Sequence, residues 1–180
     1  MGIGNGIVLL LAMASSQPSS TPAPRTVERV DLRAYAGTYY EIARFPNRFQ
    51  KQCLGEVTAT YVLRTDGRVD VINRCRTAAG TMTEARGIAK RAGQDQSNAK
   101  LKVRFAPAFL SLIPKVWGDY WILGVGPAYS YAVIGDPSRT YLWILSRTPV
   151  MPDLSYRQAL EIAAGNGFDT ARLTKTPQGR

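Results

Sequence analysis

Cys53 and Cys75 are the two thiols of the chain, and what they can do depends on the partners the sequence supplies. The 180 residues contain no histidine, so neither thiol has an imidazole to activate it. That absence closes nucleophilic catalysis by Cys–His or Ser–His pairs, and imidazole ligation of zinc or haem. Carboxylates and lysine remain as catalytic groups. A reactive thiol is the alternative reading for Cys53 and Cys75; in an exported chain, an even number of cysteines favours a disulfide. A bridge closing a loop of about 20 residues contributes ~3 kcal/mol in the chain-entropy model. No metal site and no cofactor are expected.

The charge points to surface chemistry. Twenty-three Lys and Arg against 13 Asp and Glu give a formal charge of +10, which biases a protein toward anionic partners. The cations form no run, however. In Lys100-Leu101-Lys102-Val103-Arg104-Phe105 they alternate with apolar residues, as on the solvated face of a strand. No helix-turn-helix, zinc or aromatic–basic RNA motif accompanies the charge, so nucleic acid is not an expected partner.

The elements that must position these residues are short. Residues 7–14 read IVLLLAMA, an apolar stretch of the length of a signal-peptide core. Ala12-Met13-Ala14 fits the small-x-small cleavage rule, which assigns 1–14 to a signal peptide. Residues 15–29 form a Ser/Pro-rich disordered linker, and a folded domain occupies 30–180. Alternating runs bounded by turn residues then predict strands at 38–44, 56–64, 69–76, 81–90, 100–105, 119–125, 130–134 and 140–146. Asp66-Gly67 is read as a type I′ hairpin turn. Residues 154–165 carry helix formers and an apolar stripe of Tyr156, Ala159, Leu160 and Ala163, with Asp153 or Ser155 to cap the first amides. Eight consecutive hairpin-linked strands followed by one helix predict an all-β fold: an eight-stranded antiparallel up-and-down barrel with room for one small ligand.

Two stretches of this pattern carry a family resemblance. Gly37-Thr38-Tyr39-Tyr40-Glu41-Ile42-Ala43-Arg44 resembles the opening motif of the lipocalins, usually Gly-x-Trp-Tyr. Residues 135–149, with Tyr141-Leu142-Trp143-Ile144-Leu145-Ser146-Arg147-Thr148-Pro149, resemble their closing motifs. The stretch is most similar to the bacterial outer-membrane lipocalins and to apolipoprotein D, and the resemblance runs from about Val30 to Leu173. It implies a C-terminal helix packed outside the barrel and a cavity open at one end. It also implies non-catalytic binding, storage or transport of fatty acid, lysophospholipid or phospholipid, for envelope maintenance. Two departures stand out. The motif Trp is Tyr39 here, so Arg147 would close the barrel floor over a phenol, beside Gly37. The lipobox cysteine of the bacterial branch is absent, which favours a soluble periplasmic form over an anchored one.

Strand parity, with the family's inward Trp, puts Tyr141, Trp143, Leu145 and Arg147 on the inner face. Val57, Ala59 and Tyr61 join them from the second strand. Tyr131 and Val133 are expected there too, as are Leu101, Val103 and Phe105. For each, ordinary barrel core is the other reading. The hydroxyls of Tyr61, Tyr131 and Tyr141 can meet a carboxylate or ester, or bond one another. In the family the 106–117 connection (APAFLSLIPKVW) rims the open end. It holds Phe109, Leu110, Leu112 and Ile113 between Arg104 and Lys115. It is expected to dip into an anionic membrane surface, with a lid or a homodimer contact as alternatives. A lipocalin-fold enzyme of isomerase or epoxide type remains the competing function, with Glu41 as its one inward carboxylate. A carrier of a tetrapyrrole or retinoid is the third reading.

Overall fold

The computed structural model describes residues 22–94 and 96–179. In chain order the main elements are α1 (Leu32–Tyr35), β1 (Gly37–Arg44), β2 (Cys53–Leu63), β3 (Val69–Thr77), β4 (Met82–Arg91), β5 (Lys100–Arg104), β6 (Gly118–Val125), β7 (Tyr131–Gly135), β8 (Leu142–Ser146), α2 (Asp153–Gly165) and β9 (Thr174–Lys175). From β1 to β8 every strand pairs antiparallel with the next, and β1 also pairs with β8, which closes the barrel. The expected eight-stranded up-and-down architecture is the one found. The one-turn α1 and the two-residue β9 are additions too short for periodicity to reveal.

Closure makes an inside and an outside, and the sequence fills both with apolar side chains. One buried cluster fills the barrel, with Tyr35, Tyr39, Tyr61, Val71, Ile134 and Leu145 among its members. A second lies between the barrel wall and α2, and includes Phe45, Val133, Ile144, Ala159, Ala163 and Phe168. Burying each large side chain is worth about 1.5–3 kcal/mol, so the helix is held by packing and not by its own propensity. Close approach of α2 depends on Gly124, where a Cβ would fall 2.6 Å from Ile162 Cδ1. The helix starts after Pro152, with no side-chain cap at its N-terminus, so neither Asp153 nor Ser155 serves that role.

Turns and ends depart from expectation in instructive ways. At the β2–β3 hairpin positive φ falls on Gly67 and not on Asp66, and Gly67 N–H donates to Arg64 O at 3.1 Å. The connection is therefore an ordinary turn closed by a left-handed glycine, in place of type I′, which needs positive φ at both central residues. The expected signal peptide lies outside the described residues. Of the expected disordered linker, residues 22–29 are described and they pack: Val27 N–H donates to Ile122 O at 3.0 Å and Arg25 N–H to Asn166 Oδ1 at 2.7 Å. Polar composition suggested a solvated spacer, but backbone pairing depends on amides and not on side chains.

Cys53 and Cys75 form a disulfide with Cα atoms 5.5 Å apart, tying the start of β2 to the end of β3. At the same end β1 and β2 diverge after pairing through Tyr40 and Thr58. The C-terminal segment fills that gap. β9 pairs with Ala43 and Arg44, and Pro177 O accepts from Glu56 N–H at 2.7 Å.

Candidate functional site

The interior is layered from floor to mouth. At the floor Arg147 lies with its guanidinium carbon 3.8 Å from the centroid of the Tyr39 ring. It donates to the carbonyls of Ala34, Tyr35, Ala36 and Thr38 at 2.8–3.1 Å. Gly37, at φ +106°, passes beneath it, and a Cβ there would lie 2.9 Å from Arg147 Nη1. One side chain thus fastens α1 and the start of β1 to the end of β8. Burial pushes the Tyr39 hydroxyl up to about 12, against the pull of the nearby Arg147 charge.

Above the floor, phenol rings span the lumen. Tyr120 Oη shares hydrogen bonds with Tyr35 Oη at 2.7 Å and Tyr61 Oη at 2.8 Å. Burial raises all three hydroxyls well above their ordinary range. These rings meet Leu32, Val69, Val71, Ala89 and Leu101 around a void of about 10 Å³, on the order of one water molecule.

Toward the mouth the walls become small. Ala59 sits opposite Asn73, and Asn73 opposite Ala85, in one row across β2, β3 and β4. Asn73 Oδ1 is buried there without a hydrogen-bond partner. Trp143 forms the facing wall, with Tyr141 stacked on it at 5.7 Å and Phe49 beyond at 5.8 Å. A polar knot holds Trp143 in place. Its Nε1 donates to Gln50 Oε1 at 2.9 Å, and Gln50 Nε2 donates to the buried Glu41 Oε2 at 2.6 Å. Glu41 also pairs with Arg44 and accepts from Thr176 Oγ1 at 2.5 Å. Arg44 reaches this knot because the β1–β8 register shifts between Glu41 and Ala43, which turns Arg44 to the Trp143 side.

The rim is apolar and basic. Phe109 and Leu112 are 82% and 92% exposed, and Phe49, Leu54, Met82, Phe105 and Ile113 are exposed at the same end. Arg48, Lys51 and Lys115 stand exposed among them. The loops at this end carry one carboxylate, Asp136, which is buried and accepts from Ser138 and Tyr141 amides.

The lipocalin-like domain family matches residues 30–178. The chain belongs to the lipocalin family. It is 45% identical to temperature-induced lipocalin-1 of Arabidopsis thaliana over 153 residues, 84% of this chain and 81% of the relative. Outer membrane lipoprotein Blc of Citrobacter freundii is 40% identical over 164 residues, covering 91% and 88%. Mouse (Mus musculus) apolipoprotein D is 32% identical over 165 residues, covering 87% and 82%. Insecticyanin from the tobacco hornworm, Manduca sexta, shares the fold with a TM-score of 0.69 at 20% identity, covering 91% and 89%.

The lipocalin brings together most of the residues expected on its inner face. Ala59, Tyr61, Leu101, Val103, Trp143 and Leu145 all pack within the barrel. Val57 packs instead with the disulfide. Phe105 sits at the mouth, its ring within 2.7 Å of where a Gly87 Cβ would be. Tyr131 and Val133 are corrections. They face α2, and Tyr131 Oη reaches Gln158 Oε1 at 3.4 Å. Their strand mates Ala132 and Ile134 are the inner residues, Ile134 lying opposite Trp143. Every residue of β7 is buried, so its apolar run held no alternation from which to choose a face. In the expected rim loop, Leu110 is half-buried while Phe109, Leu112 and Ile113 project. Sequence reasoning missed Tyr35, Asn73 and Tyr120, and it missed that Arg44 points inward.

Proposed function

We propose that this lipocalin is a non-catalytic carrier of a lipid-class ligand, a fatty acid, lysophospholipid or phospholipid, exchanged with an anionic membrane surface. The observation that carries this reading is the contrast between the barrel's ends. One is sealed by Arg147, and the other sets Trp143 and a row of small residues within a ring of exposed apolar side chains and cations. Water is displaced from such a chamber at little cost, and each methylene that replaces it gains about 0.8 kcal/mol.

Other features support the reading. Relatives bear the names outer membrane lipoprotein and apolipoprotein. A disulfide suits an exported protein in an oxidising compartment. Both thiols are bridged, and Glu41 is held in an ion pair, which leaves the competing enzymatic reading without a free nucleophile or base among them. Native mass spectrometry of the purified protein, followed by solvent extraction, tests the proposal. Near-stoichiometric fatty acid or phospholipid is the expected result. An empty barrel whose Trp143 fluorescence does not respond to added fatty acid would overturn it.

A further inference from the structure

The lumen is blocked just above the floor, where the Tyr35 and Tyr61 rings lie 5.3 and 6.0 Å from the Tyr39 ring. Tyr35, Tyr61 and Tyr120 come from α1, β2 and β6, and their hydroxyls meet at Tyr120 Oη. Rings from three sides joined at their tips block the cross-section at that level. What lies around and below them is the void of about 10 Å³, too small for an alkyl chain. Tyr61, Val71 and Gly87 share one row across the sheet, and Ala59, Asn73 and Ala85 form the next row toward the mouth. From Asn73 the strand runs to Thr77 at its end, a span of about 13 Å at the rise of a strand. An extended chain of on the order of ten methylenes fills that length.

We infer that Tyr120, braced by Tyr35 and Tyr61, is a specificity-determining residue that sets the depth of the chamber and thereby the length of alkyl chain the lipocalin encloses. The inference rests on the carrier reading and sharpens it. Chains up to medium length are enclosed whole. Longer ones leave their surplus at the mouth, against the apolar rim.

A homologous series from hexanoate to stearate, titrated against tryptophan fluorescence, reads the depth directly. Trp143 is the tryptophan that packs against the inner cluster. Wild-type affinity is expected to rise about fourfold per methylene, then level off near decanoate to dodecanoate. In Tyr120→Ala the climb should continue to longer chains, because the chamber joins the void beneath. Tyr120→Phe keeps the ring and should keep the wild-type break, which separates volume from hydrogen bonding. Where Tyr120→Ala fails to fold by near-ultraviolet circular dichroism, Tyr120→Leu carries the same test with a smaller change. An unbroken climb to stearate in the wild type, or an unmoved break in the folded variant, would overturn the assignment while leaving the carrier reading intact. Absence of saturable binding for every chain in every variant would overturn the carrier reading itself.

Discussion

Arg147 stacks on Tyr39 and binds the carbonyls of Ala34, Tyr35, Ala36 and Thr38, so one guanidinium holds α1 and the start of β1 against the end of β8. Only the planar fork of arginine reaches several acceptors while lying flat on a ring. Arg147→Ala leaves those carbonyls without their donor and should lower stability by about 3 kcal/mol. In a chain of this size that is a fall in Tm of about 6–12 °C. Arg147→Lys should recover less than half of it. Full recovery by lysine in thermal melts would mean that charge alone, and not the forked geometry, seals the floor.

The disulfide closes a loop with a sequence separation of 22. Its chain-entropy contribution is about 3 kcal/mol. Replacing both cysteines with serine should therefore lower the urea midpoint by on the order of 1–2 M. Because Val57 packs against the bridge, the loss should be seen at the mouth end of β2 and β3 first. Hydrogen exchange with equal protection of these strands in both forms would show that the bridge is not what holds the mouth.

Membrane docking by the rim is best tested where exposure is greatest. Phe109→Ser with Leu112→Ser removes two side chains that touch little of the barrel. Each large apolar side chain transferred to lipid is worth about 1.5–3 kcal/mol, so co-sedimentation with anionic phosphatidylglycerol vesicles should fall at least tenfold. Thermal stability should stay unchanged. Salt should weaken what remains, through Arg48, Lys51 and Lys115. Unchanged sedimentation would turn the loop into a lid or a contact between two copies, and a fall in molecular mass on mutation would favour the latter.

The barrel was legible because most strands alternate and their turns are marked: β2 and β3 frame Thr65-Asp66-Gly67, and β7 and β8 frame Asp136-Pro137. Tyr39, Arg147 and Trp143 were legible through their motifs. β7 was not, since an inner and an outer core cover both its faces and one residue of register decides which side chains enter the barrel. The Arg44 knot was hidden for a related reason, because a bulge shifts parity without changing composition. Tyr120 and Asn73 acquire their roles only from partners on other elements, which spacing along one strand does not show.

The buried phenols make a final prediction about alkaline pH. Burial pushes Tyr39 up to about 12, and holds Tyr35, Tyr61 and Tyr120 well above the ordinary value of 10.0. As pH rises, the unfolded chain therefore loses these protons before the folded one does. The stability linked to keeping the phenols neutral is present in full below about pH 10 and drains away as pH climbs through about 12. Tyrosinate absorbance should show an exposed class titrating reversibly and a buried class appearing only as the barrel opens. Tyr120→Phe removes one such group and should move the opening to higher pH. A single class of tyrosines titrating near the ordinary value, with the fold intact, would mean that the hydroxyl layer is open to solvent.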